Sequence, residues 1–140
     1  MKYRIGRTEK LHDVIELTDE SGNVVKSLEI TIDVDIAAKD LTQKYYNFLN
    51  ISRQLKEAQK INDKNEFFKL ANLYTLAIDE LFGICFGEAN RLAIYEFYEN
   101  NYLEMAQQLV PYIFNRLIPA VNKAVQQKKN NLKKAFKRKL

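Results

Sequence analysis

One cysteine and one histidine in 140 residues leave this chain short of soft metal ligands. A zinc site takes three or four Cys or His side chains, and only two are present. Cys85 has no second thiol for an internal disulfide and lies in an apolar run, so it reads as a small buried hydrophobe rather than a reactive thiol. His12 stands beside Asp13 ahead of a strand. With no nucleophile or ligand set in view, it reads as a solvated loop histidine. Glycine is scarce, with four residues, and no GxGxxG or GxxxxGKS/T phosphate loop occurs. Gly83 and Gly87 stand four apart at a helix end, with no GKS or GKT after them. The first ten residues, MKYRIGRTEK, lack the apolar run of a secretory signal, which makes the cytoplasm the expected compartment. From Lys123 onward no acidic residue occurs among eight basic ones, whereas the chain before it holds 14 basic and 18 acidic residues. The whole cationic excess of this chain therefore lies in its tail, on a mildly acidic body.

The stretch Phe67 to Phe86, FFKLANLYTLAIDELFGICF, has fourteen apolar residues in twenty. Its polar positions Lys69, Asn72, Thr75, Asp79 and Glu80 recur close to one helical period, leaving a helix apolar nearly all round with one wet stripe. Lys69, Asp79 and Glu80 would each cost roughly 2.5–3.5 kcal/mol near a bilayer centre, so this is a central core helix and no membrane partner is expected. Asp79 and Glu80, adjacent on the wet stripe, read as solvated charge rather than as an acid/base pair. No arrangement of nucleophile, base and orienting group appears, so neither an enzyme nor a cofactor is expected.

Upstream, Val14 to Thr18 is β-rich, Asp19-Glu20-Ser21-Gly22-Asn23 is a turn cluster, and Leu28, Ile30, Ile32 and Val34 alternate with Glu29, Thr31 and Asp33. That pattern predicts a hairpin with one buried face, to which Tyr3-Arg4-Ile5 could add an edge. Asp33 or Asp35 can cap a helix to about Ile61 with Leu41, Tyr45, Phe48 and Leu55 on one face. Asp63 with Glu66 resembles a capping box for the central helix, and Gly87 suits its left-handed end. A short helix over Glu88 to Tyr98 turns Leu92, Ala93 and Phe97 inward. Asn101 with Glu104 opens a last helix carrying Leu103, Ala106, Leu109, Val110, Ile113, Phe114, Leu117, Ile118, Val121 and Val125. Both prolines, Pro111 and Pro119, fall inside it, predicting kinks or a break near Leu109 and near Leu117. From Gln126 the apolar signal fades to Leu132, Phe136 and Leu140, giving a frayed helix or a disordered tail.

Most aromatics recur at helical spacing and read as core. Tyr45 with Tyr46, and Tyr95 with Phe97 and Tyr98, point to more than one helix face. Surplus apolar faces of this kind mark a partner surface, and a homo-oligomer is expected. The basic tail has two readings. One is salt-dependent binding to nucleic acid, for which Phe136 alone supplies a stacking ring. The other is a solvated extension that contacts an acidic protein partner or keeps the chain soluble.

The layout as a whole, with DESGNVVKSLEITID running into a helical body, LFGICFGEANRLAIYEFYENN before a long helix, and a lysine-rich end, resembles the tail assembly chaperones of long-tailed bacteriophages and related prophages of Gram-positive bacteria. The resemblance spans about residues 3 to 135. It implies a non-enzymatic protein of the host cytoplasm that oligomerises and coats the helical tape measure protein until tail-tube protein polymerises around it. Leu109, Ile113, Phe114 and Leu117 would then bind a partner helix or a neighbouring copy, and Lys128, Lys129, Lys133 and Lys134 would be further partner contacts. The alternative is a small nucleic-acid-binding module using the basic tail. The expected fold is α+β and mostly α: a small N-terminal antiparallel β-sheet of two or three strands, four or five helices in a bundle, and a basic C-terminal tail. It forms one domain over residues 1–127, with a hairpin region at 1–34 and a helical body at 35–127, followed by a flexible tail at 128–140.

Overall fold

In a computed structural model that describes residues 1–3 and 10–139, with the side chains of 34–37, 138 and 139 left aside, the alternating segments form a two-stranded antiparallel sheet. Strand β1 is Lys10–Thr18 and β2 is Val24–Asp33, paired so that Leu11 faces Ile32, Asp13 faces Ile30 and Ile15 faces Leu28. The turn is held by the Asp19 carboxylate, which accepts the backbone N–H groups of Ser21 and Asn23 at 2.9 Å each, while Gly22 supplies a φ of +84°. Leu17, Leu28, Ile30 and Ile32 are buried on one face. The added edge strand expected at Tyr3-Arg4-Ile5 falls on positions 4 and 5, outside the described residues.

β2 runs without a loop into α1, Val34–Ile61. Asp33 holds the position just before the helix; Asp35 lies inside its first turn, with its side chain outside the described set. Helix α1 buries Leu41, Tyr45 and Phe48, and packs along the central helix α2, Lys64–Phe86. Phe48 meets Tyr74 at a ring separation of 5.4 Å, and Lys44 pairs with Glu80 at 2.9 Å. Asp63 caps α2 by accepting the Glu66 N–H at 3.2 Å. Gly87 ends the helix at φ +79°, ψ 164°, a region open essentially to glycine. Eight α2 residues, Leu70 to Phe86, are buried, which makes this helix the middle of the core.

Helix α3 is Glu88–Phe97. Its inward residues are Ile94 and Tyr95, with Ala93 and Phe97 half-buried, while Leu92 faces solvent. The expected inward Leu92 is thus corrected: the ten-residue helix presents a face one position further on. Asn90 explains the FGEAN step. Its Nδ2 donates to the Phe86 carbonyl at 3.0 Å and to the Glu29 carbonyl of β2 at 2.8 Å, tying the end of α2 to the sheet.

Asn101 then caps α4, Tyr102–Tyr112, through the Glu104 N–H at 3.2 Å. A π-helical turn, Ile113–Leu117, and α5, Ile118–Lys139, continue the same rod. The interruption expected near Leu117 is this π turn. Pro119 lacks an N–H, and its ring would strike the carbonyl one turn back. The wider turn, in which the Ile118 N–H donates to Ile113 O, makes room for it. No break occurs near Leu109, since α4 continues through Pro111 to Tyr112. Counting the rod once, four helices follow the hairpin among the described residues, within the four or five that the sequence predicts. Residues 128–139 continue α5 as unbroken helix.

Candidate functional site

The π turn sets neighbouring side chains on three sides of the rod. Ile113 and Leu117 are fully buried, and Leu109 one turn earlier is buried as well. Tyr112 and Arg116, four apart, both reach Asp13 on β1. The Tyr112 hydroxyl donates to Asp13 Oδ2 at 2.5 Å, and Arg116 donates from Nε at 3.1 Å and Nη2 at 3.0 Å, one arm to each carboxylate oxygen. The Arg116 hydrogen bonds hold the Asp13 carboxyl below its ordinary range, helped by the tyrosine hydroxyl and opposed by burial. Burial, together with the bond to Asp13, pushes the Tyr112 hydroxyl up. This clamp is a structural tie between hairpin and rod.

Phe114 points the third way. Its ring stacks on Tyr45 with centroids 5.9 Å apart, and Tyr46 meets the Tyr45 ring edge-on, also at 5.9 Å. Tyr45 is buried, but Tyr46 is 64% and Phe114 54% exposed, with Leu49 open to solvent one turn along α1. The three form an aromatic and aliphatic patch on one side of the domain. Of the four apolar positions expected to bind a partner, Leu109, Ile113 and Leu117 instead complete the core. Phe114 alone reaches the surface, because residues at helical spacing on one stripe must choose the core first. Tyr46 lies on the surplus aromatic face that the sequence offers as a partner surface, and Leu49 beside it was not singled out. The surplus of Tyr46 over Tyr45 was the signal for it.

Lys128, Lys129, Lys133 and Lys134 are exposed on α5 beyond the body of the domain. They are far along the rod from Phe114, so the eight candidate positions do not form one site. Leu132 and Phe136 lie exposed among these lysines.

At the opposite end of the rod a groove of about 890 Å³ opens between the hairpin turn and the α3–α4 junction. Leu17 and Leu109 form its buried floor, and Ile15, Phe97 and Tyr112 its half-buried walls. Among the described residues five carboxylates line it (Glu16, Asp19, Glu20, Glu99 and Glu104), and no lysine or arginine does. Sequence reasoning missed this groove, because the hairpin turn lies some eighty positions from the α3–α4 residues that complete it. The Asp79 carboxylate, read from sequence as solvated, accepts hydrogen bonds from the Tyr95 hydroxyl and, at 3.5 Å, from Arg91. Burial and the bond to Asp79 raise the Tyr95 hydroxyl.

Among the described residues no group of three His, Cys, Asp or Glu side chains is placed to hold a metal ion, and no helix is long and apolar enough to cross a membrane. Cys85 is buried, and burial pushes its thiol up, away from the thiolate that reacts. Comparison with protein-family models, with curated proteins and with solved structures finds no match to this chain.

Proposed function

We propose that this chain is a non-enzymatic assembly chaperone that associates with copies of itself and covers a long helical partner, the role implied by its resemblance to phage tail assembly chaperones. The tape measure protein is the partner that resemblance names. The observation carrying the reading is apolar surface left over after the core is complete: Tyr46, Leu49 and Phe114 around the buried Tyr45 ring, and Leu132 and Phe136 on the helical extension. Aromatic residues on a half-covered patch are the composition of a protein interface, and an amphipathic helix laid against such a patch is a common mode of recognition. Host cytoplasm is the compartment this role requires.

The test is co-expression of the tape measure protein with and without this chain, followed by pull-down and measurement of soluble yield. The reading expects soluble, co-purifying partner only when the chain is present. Equal solubility in both cases overturns it.

A second reading, binding of nucleic acid through the tail, has the row of exposed lysines on α5 in its favour. Titration with duplex and single-stranded nucleic acid at two salt concentrations separates the two. A tail binder weakens steeply as salt rises, whereas the chaperone binds poorly throughout.

A further inference from the structure

The inward stripe of α5 does not stop where the domain stops. Val121 is buried in the core, Val125 is half-buried, and the stripe continues seven and eleven positions beyond Val125 at Leu132 and Phe136. There it meets no core: these side chains are 54% and 70% exposed. Lys129, Lys133 and Lys137 flank them, so the extension is a cationic helix with an apolar seam. At the far end of the same rod lies the reciprocal surface, an apolar-floored groove with carboxylates on its rim and, among the described residues, no basic side chain.

We infer that the C-terminal helical extension of one copy lies in the acidic groove of the next copy. This contact rests on the self-association in the proposed function and names its two surfaces. Three observations support a second copy as the occupant. Charge is complementary, a lysine-flanked helix against five carboxylates, which steers the encounter and fixes its orientation. The seam and the floor are both apolar, and a groove of about 890 Å³ has room for two large side chains and the stems of their lysine neighbours.

The geometry then excludes the contact within one molecule and a pair joined extension to extension. Glu104 at the groove and Leu132 on the extension are 28 residues apart on one rod, roughly 42 Å at the helical rise. The extension cannot reach its own groove while the rod stays helical. Pairing two extensions side by side would set lysines against lysines. The contact is therefore head-to-tail, joining different surfaces on the two copies, and it propagates as an open chain or closes as a ring.

The experiment uses the full chain and two variants in sedimentation velocity. Glu20→Lys with Glu99→Lys reverses charge on the groove rim, and Leu132→Ser with Phe136→Ser removes the seam. All four positions are exposed, and circular dichroism with a melting curve checks the fold of each variant. The wild type is expected to form species that grow with concentration and shrink with salt. Each variant alone is expected to associate about ten-fold more weakly or worse. Mixing the two variants restores one good contact per pair and halts at the dimer. Adding Lys133→Glu and Lys134→Glu to the groove variant is expected to restore assembly, a result that misfolding cannot mimic.

A wild type that stays monomeric overturns the inference, as does either variant assembling like the wild type, or a mixture that remains monomeric. Unchanged assembly in the seam variant, with loss of salt-sensitive duplex DNA binding, overturns it in favour of nucleic acid on the lysine face. Should both variants assemble normally and still keep the helical partner soluble, the groove contact fails alone. Should assembly follow the groove and seam as described while the partner stays insoluble, the chaperone reading fails alone.

Discussion

Replacing Asp13 by alanine isolates the tie between the hairpin and the rod of α4, the π turn and α5. Asp13 points to the inner face of β1, opposite Ile30, and its side chain is only 17% exposed. It accepts from Tyr112 and from two arms of Arg116. The variant leaves the half-buried Tyr112 hydroxyl without its acceptor, at a cost of about 1–3 kcal/mol. The Arg116 arms add less, because that guanidinium is half exposed and regains water. A net loss of about 2 kcal/mol corresponds to a fall in Tm of roughly 6–10 °C for a chain of this length. Calorimetry of the wild type, Asp13→Ala, Tyr112→Phe and the double variant closes a cycle. The orphaned hydroxyl is the main cost, so Asp13→Ala should cost clearly less once Tyr112 is phenylalanine. The pH dependence carries a sign. The folded-state pKa of Asp13 lies below its ordinary value, so its stabilisation is complete above the unfolded carboxyl range near 4 and fades as pH falls through the lower folded value. The gap between wild type and Asp13→Asn should therefore narrow only in acid. A loss under about 0.5 kcal/mol at neutral pH, within the range of an ordinary surface change, would refute the reasoning, as would a gap that widens in acid.

Other consequences are open to the same instruments. Phe82→Ala, at a fully buried ring in α2, should cost about 3–5 kcal/mol in denaturant unfolding. Gly87→Ala meets no neighbouring atom yet forces a side chain to φ +79°, so its loss should be near 2 kcal/mol and purely conformational. Tyr46→Ser with Phe114→Ser should leave Tm nearly unchanged while lowering recovery of the helical partner in pull-down. Cys85, buried with a raised thiol pKa, should stay unlabelled by a thiol reagent at neutral pH until the chain unfolds.

The elements set by local pattern were legible in the sequence. The apolar run at Phe67 to Phe86, the Asp63 and Asn101 caps and the alternation from Leu28 to Ile32 each carry their own physical instruction, and each produces the expected element. What depends on distant partners was not legible. β1 begins at Lys10 rather than Val14, because Asp13 sits on the apolar face. A charge there looks like the end of a pattern until Tyr112 and Arg116, about a hundred residues later, are found to neutralise it. Likewise, Leu109, Ile113, Phe114 and Leu117 share one helical stripe in sequence. Only the π turn shows that Phe114 leaves the core while its neighbours stay. The acidic groove has no local signature, since hairpin turn, α3 and α4 each contribute a few ordinary residues.

Everything proposed for this chain depends on exposed apolar surface that another polypeptide covers. Sedimentation equilibrium of this 140-residue chain, from dilute to concentrated solution in moderate salt, tests this most directly. The account predicts a weight-average mass that starts at or above the 16.4 kDa of one chain and climbs steadily with concentration. A single 16.4 kDa species across the whole range would contradict it.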